Sequence, residues 1–230
     1  MADLTLEEFL QPISQALSHD AVPDAPAGSY VADRGLARDE YAELSADELV
    51  ARFVEEGQAI GLSTTVVEPD GLTEAIVAQV QAYGAGPVVY ADDAKADACG
   101  LPEALAQASI AATRWDASRG QACVDACAAA STGIVFPFAA IARTATVALR
   151  CDERCGRAVS LLPPNSIAVV YRSELVAQMV DVLEALEVEG DGLPSSVVFS
   201  TGPSATSDIE LVRVVGVHGP VRSSVVLVND

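Results

Sequence analysis

The densest set of side chains with chemical capacity lies from Thr201 to Pro220, TGPSATSDIELVRVVGVHGP. The preceding run, Ser195 to Ser200, is expected to be a strand, and Gly202-Pro203 stops its pairing and fixes the backbone. Ser204, Thr206 and Ser207 then bring hydroxyls close together. Asp208 stands where an N-cap would stand if a short helix opens at Ile209. The first N–H groups of such a helix, with those hydroxyls, would suit an anion or a carboxylate. In open α/β sheets such groups meet in a crevice at the carboxyl end of a strand. Asp208 and Glu210 would repel an anion unless Arg157, Arg213 or a metal offsets them. They would otherwise serve as acid–base groups or bind substrate hydroxyls. His218, one of two histidines, precedes Gly219-Pro220 and the last expected strand. Catalytic candidates are therefore Asp208, Glu210 and His218, with Gly202, Ser204, Thr206 and Gly219 as further ligand contacts. A plain helix cap and a structural histidine account for the same residues.

Other patterns carry less. Cys123 and Cys127, four apart, share one helix face. Cys151 and Cys155 flank Asp-Glu-Arg in a polar turn, and Cys99 stands apart. With no histidine cluster beside them, these thiols read as small core or turn residues, and no metal is expected. The chain has no GxSxG, no GxxxxGK and no GxGxxG after a strand, so no cofactor is expected. Trp115, the single tryptophan, fits the edge of a core better than a cleft.

The elements that must position these residues alternate. Thr5 to Ser18 reads as an amphipathic helix, His19 to Glu40 as a Pro/Gly-rich linker. Ser45 and Glu48 form a capping-box pattern opening a helix to about Ala59. From there strands at 63–67, 87–90 and 109–113 alternate with helices at 72–83, 102–108 and 121–130. Strand-like runs follow at 133–138, 141–149 and 167–171, then a helix from Ser173 to Leu186, and a closing strand at 223–228. This order predicts an α/β fold, a mostly parallel sheet flanked by helices. Residues 1–60 form a helical extension with its linker, and 61–230 the α/β domain.

Thirty-three acidic against 13 basic residues leave a net charge of −20, which disfavours nucleic acid and anionic membranes. Half the residues are apolar, a globular balance. The start MADLTLEEFL lacks the features of a secretory signal, and the uncharged run 126–142 is too short and broken to span a bilayer. A cytoplasmic location with reduced thiols is expected.

The stretches GPSATSDIELVRVVGVHGP (202–220) and RAVSLLPPNSIAVV (157–170) resemble motifs of the LUD-domain family, in its lactate utilisation protein C group. The resemblance spans about residues 130–230. It implies a fold like the sugar-phosphate isomerase and CoA-transferase superfamily. It also implies a role in oxidising L-lactate to pyruvate beside partner subunits that carry iron–sulfur clusters. Five positions depart from the family's pattern, one being Phe138 or its neighbour where an Asp is common. Arg143 stands where an acid is common, Ala145 replaces a glycine, Ser166 a histidine, and Ala205 a basic residue. Arg143 then supplies positive charge lost at Ala205, and Thr144 beside it is a further ligand contact. The expected function is an accessory or small-molecule-binding subunit of organic-acid utilisation, its ligand a small anion or carboxylate. The alternatives are a stand-alone isomerase, hydrolase or acyl-CoA-transferase-like enzyme using Asp208, Glu210 and His218, with Arg143 and Arg157 holding an anion, or a non-catalytic ligand sensor.

Overall fold

The computed structural model describes residues 5–16, 40–188, 194–207 and 211–230. The chain divides into two compact units, Met1–Ala37 and Arg38–Asp230. The first contains helix α1 (Leu6–Ala16), opened by reciprocal hydrogen bonds between Thr5 and Glu8. Among the described residues no helix is long and apolar enough to cross a membrane.

The second unit is built on six parallel strands in the order β1 (Ser63–Val67), β12 (Arg222–Val228), β7 (Asn165–Tyr171), β4 (Thr132–Val135), β2 (Val88–Tyr90), β3 (Ala112–Arg114). Their side chains alternate between two cores, as a strand's period of two requires. Val89, Val135, Ala168, Val170, Val225 and Leu227 face one side. Val88, Tyr90, Ile134, Ile167, Val169 and Val226 face the other. Helices α3 (Leu72–Ala82) and α5 (Leu101–Gln107) cover the second side, α3 through Leu72, Ile76 and Val80 at successive turns. The short helix α4 (Ala94–Ala98), which sequence periodicity did not reveal, joins them.

The first side is covered by α2 (Ala46–Ile60), α6 (Gln121–Ala129) and α7 (Arg157–Leu161). The Ser45–Glu48 capping box is formed, and Gly61 closes α2 at φ 83°. The sequence reading grouped residues up to 60 with the extension. In the structure α2 buries Phe53 in the α/β core.

A second sheet has the order β8 (Leu175–Val176), β5 (Ala139–Ile141), β6 (Thr146–Cys151), β9 (Ser196–Thr201). Ala140, Val147 and Leu149 join the first core, and Ala139, Ile141 and Ala148 meet Val182 of α8 (Met179–Val188). Two expectations are corrected here. The run 141–149 is not one strand, because a tight turn at 142–144 folds it into β5 and β6. The helix expected from Ser173 starts at Met179, because Leu175 and Val176 pair with β5 instead. Tertiary pairing overrides the helical period there.

Candidate functional site

The segment Thr201 to Pro220 leaves β9, but not at the carboxyl end of the parallel sheet. Strand β9 runs antiparallel to β6 in the second sheet, and its end meets the amino-terminal ends of β7 and β12. There Ser204 N–H donates to the Pro220 carbonyl (2.9 Å), and Val221 N–H to the Pro164 carbonyl just ahead of β7 (2.8 Å). Past Gly202, at φ 68°, β10 (Ala205–Thr206) pairs with β11 (Val214–Val215) as a small antiparallel ribbon. Ser204 and Gly219 lie against each other inside this loop, and His218 is exposed on it. Asp208, Ile209 and Glu210, and so the helix expected there, lie outside the described residues.

Arg143 and Thr144 do reach this neighbourhood. Thr144, Thr146 and Thr201 form a chain of hydroxyls, each link 2.7 Å. The Arg143 guanidinium lies over the Tyr41 ring at 5.2 Å. Ser166 pairs with Ser223 and, with Ser200, Gly202 and Ser224, lines a cavity of only 20 Å³, the scale of one water. Arg157 is not brought there. It stands at the Cys151 end of β6, whereas Thr146 at the other end pairs with Thr201. Five residues of strand separate those ends by about 17 Å.

Ala145 explains one departure from the family pattern. It is fully buried and left-handed, φ 48° and ψ 45°, so glycine at this position answers a backbone need. Ala145→Gly removes a left-handed cost of about 1 kcal/mol but loses a buried methyl worth about 0.8 kcal/mol. Urea unfolding is expected to differ from the parent by less than about 1 kcal/mol.

The larger concavity lies at the opposite pole, at the carboxyl ends of β2, β4 and β3, where open α/β sheets bind ligands. A cleft of about 720 Å³ is lined by Asp92, Ala112–Arg119, Glu153 and Arg154. A crevice of about 190 Å³ adjoins it through Asp92 and Arg154, and adds Asp93, Phe136, Phe138, Arg150, Asp152 and Cys155. Asp152 organises the turn after β6 by accepting from the N–H groups of Arg154 (2.8 Å) and Cys155 (3.0 Å). The Arg154 carbonyl accepts from Asp92 N–H (2.9 Å), fastening this turn to the end of β2. Trp115 is both core and wall. It is buried, and its indole N–H donates to the Glu153 carbonyl at 3.1 Å.

The charges here are unevenly satisfied. Arg114 is held by Asp92 (2.7 Å) and Asp97 (2.5 Å), and Arg150 lies over the Phe138 ring at 4.4 Å. Asp116 accepts from the Ser118 hydroxyl and N–H, which hold its carboxyl below the usual range. Among the described residues, neither Arg119 nor Arg154 is in a salt bridge. Arg154 lines both cleft and crevice and Arg119 the cleft alone, where its charge also lowers the Asp116 carboxyl; on a chain of charge −20 they leave room for an anion. The neighbouring thiols are not nucleophiles at neutral pH. Burial pushes Cys155 up to about 12 and Cys127 up to about 11. Sequence reading missed this crevice because its walls come from segments far apart in the chain, Asp92 and Asp93 on one side and Arg150 to Cys155 on the other. The one legible cue was the cluster of charges following expected strands, at Asp92-Asp93 and Asp152 to Arg154.

An open parallel α/β sheet with a charged carboxyl-end crevice agrees with the comparison to known families. The LUD domain model matches residues 43–228, and the chain belongs to that family. Lactate utilization protein C of Bacillus velezensis is 35% identical over 199 residues, 83% of this chain and 82% of the relative. The protein of the same name from Bacillus subtilis is 32% identical over 236 residues, covering 97% and 96%. A crystal structure of a DUF162 family protein from Deinococcus radiodurans shares the fold. Its TM-score is 0.58 at 23% identity, over 81% of this chain and 99% of that one.

Proposed function

We propose that this chain serves lactate utilisation as a subunit that binds a small carboxylate in the crevice at the carboxyl ends of β2, β3 and β4. The relatives' shared name supports the pathway. The crevice supports the ligand class, and the observation that carries it is Arg154, in no salt bridge among the described residues and shared by the crevice and the cleft, with Arg119 further along the cleft. The inner 190 Å³ is below the range of about 300–1,000 Å³ typical of drug-sized ligands, and suits an organic acid. Electrons removed from lactate pass to partner subunits, the iron–sulfur proteins that the family resemblance implies. Asp92 and Asp93, half-buried at the edge of the crevice, are held by Arg114 and by the N-terminus of α4.

Calorimetric titration with L-lactate and pyruvate, against chloride at equal ionic strength, tests this reading. Arg154→Ala and Arg119→Ala each remove one charge-assisted hydrogen bond, worth about 1.5–3 kcal/mol, so affinity is expected to fall at least about tenfold. His218→Ala, at the other pole, is expected to leave affinity unchanged. Saturable binding insensitive to both arginines, or no binding of either acid, defeats the proposal.

A further inference from the structure

We propose that Trp115 is a positioning residue for Arg154, gripping the turn from Asp152 to Gly156 so that the guanidinium stays at the crevice. Its effect on a ligand rests on the proposed carboxylate; the hold on the turn stands apart from that reading. The sheet order gives the turn its importance. β2 leads to β3 on one side and β4 to β7 on the other, so a gap opens between the carboxyl ends of β2 and β4. Arg154 reaches that gap from the turn after β6 of the second sheet, and its side chain lines both cleft and crevice. Asp152, Glu153 and Arg154 are exposed, and an exposed polar turn is ordinarily mobile.

This turn is held at each of its residues. The Asp152 carboxylate accepts from the N–H groups of Arg154 and Cys155, and the Arg154 carbonyl accepts from Asp92 N–H. Those contacts shape the turn and tie it to the end of β2. Trp115 supplies the other two. Its indole N–H donates to the Glu153 carbonyl, and its ring fills the space over Gly156, where a Cβ would lie 2.2 Å from Cζ2. Gly156 has φ −70° and ψ 147°, a conformation open to any residue. Its missing side chain therefore serves the ring and not the backbone. Trp115 is itself rooted. Its own N–H donates to the Tyr90 carbonyl (2.8 Å), the next N–H, of Asp116, meets Cys123 Sγ (3.3 Å), and its side chain is buried. Arg154 is thus gripped on both sides, at Glu153 and at Gly156, by one side chain fixed to the ends of β2 and β3. A charged group supported in this way loses little freedom when it meets a ligand.

Trp115→Phe keeps a ring and removes the donor. In the full chain without ligand, hydrogen exchange at the Arg154 and Cys155 amides is expected to quicken about two- to tenfold, the worth of one hydrogen bond. Affinity for L-lactate, titrated well below the unfolding temperature, is expected to fall by the same factor. A merely structural role would lower the urea midpoint and leave affinity alone. Gly156→Ala drives a methyl into the ring, so it should quicken the same amides and shift the emission of Trp115, the single tryptophan. In a Trp115→Leu background, where the ring is gone, Gly156→Ala should add nothing to exchange. Unchanged exchange in Trp115→Phe, or a Gly156→Ala effect equal in both backgrounds, overturns the proposal. So does quickened exchange with L-lactate bound as tightly as by the parent. If neither L-lactate nor pyruvate binds, the carboxylate reading falls, and exchange in the free protein still decides whether Trp115 holds Arg154.

Discussion

Gly133→Ala is expected to destabilise the protein by about 3 kcal/mol or more, the upper range for overpacking a core. Gly133 is the second residue of β4, between β7 and β2 in the middle of the sheet. Helix α7 crosses directly above it. A Cβ there would lie 2.0 Å from the Val159 carbonyl oxygen and 3.3 Å from Pro163 Cγ. The obstructing atom is backbone, and Val159 is itself fully buried, so the helix must move for the methyl to fit. Moving α7 disturbs the turn that carries Arg154 and the segment Pro163-Pro164 that fastens the loop after β9. Gly71→Ala is the matched control. Its φ of −93° suits alanine, and the nearest atom to an added Cβ is 3.9 Å away. It should be neutral, or stabilising by about 0.4–1 kcal/mol. Urea midpoints for the pair check both. A Gly133→Ala midpoint equal to that of the control would mean that α7 does not rest on β4.

Phe53→Ala should cost about 3–5 kcal/mol, the range for truncating a fully buried phenylalanine. Phe53 is 0% exposed and shares a core with Leu62, Ala145, Val147 and Leu227. It anchors α2, and with it the turn at 142–144 that sets Arg143 and Thr144. Arg52, its neighbour, makes pairs with Glu55 (2.9 Å) and Glu56 (2.5 Å) on the helix surface. Such pairs are screened and are worth about 0–1 kcal/mol, so Arg52→Ala should be mild. Such a contrast is the result expected if α2 belongs to the α/β domain. Equal effects from the two substitutions would place it outside.

The carboxyl-end crevice and the loop after β9 lie at opposite ends of the parallel sheet. β7, with seven residues, holds them about 20 Å apart. The described part of the family motif, 202–207 and 211–220, adjoins the amino-terminal ends of β7 and β12. The loop is held there through backbone, Ser204 N–H donating to the Pro220 carbonyl and Val221 N–H to the Pro164 carbonyl, while the Thr201 hydroxyl bonds that of Thr146 in β6.

Much of this architecture was legible in the sequence. Val-rich runs spaced by amphipathic segments determined a parallel sheet covered on both faces, and Ser45 with Glu48 determined the start of α2. The motifs at 157–170 and 202–220 determined the family. These signals are local, since period, capping and turn chemistry act over a few residues. What only the tertiary structure decided is non-local. Leu175 and Val176 have a helical period but gain more by pairing with β5. Strand β9 looks like the β strand of a βα unit, yet it joins β6, so the loop after it falls at the amino pole instead of the carboxyl pole. The cleft gathers Asp92, Arg119 and Arg154 only because β2 and β3 lie side by side and the Asp152 turn folds back onto Asp92. No spacing along the chain records such a meeting, because it depends on which strand edges find each other during packing.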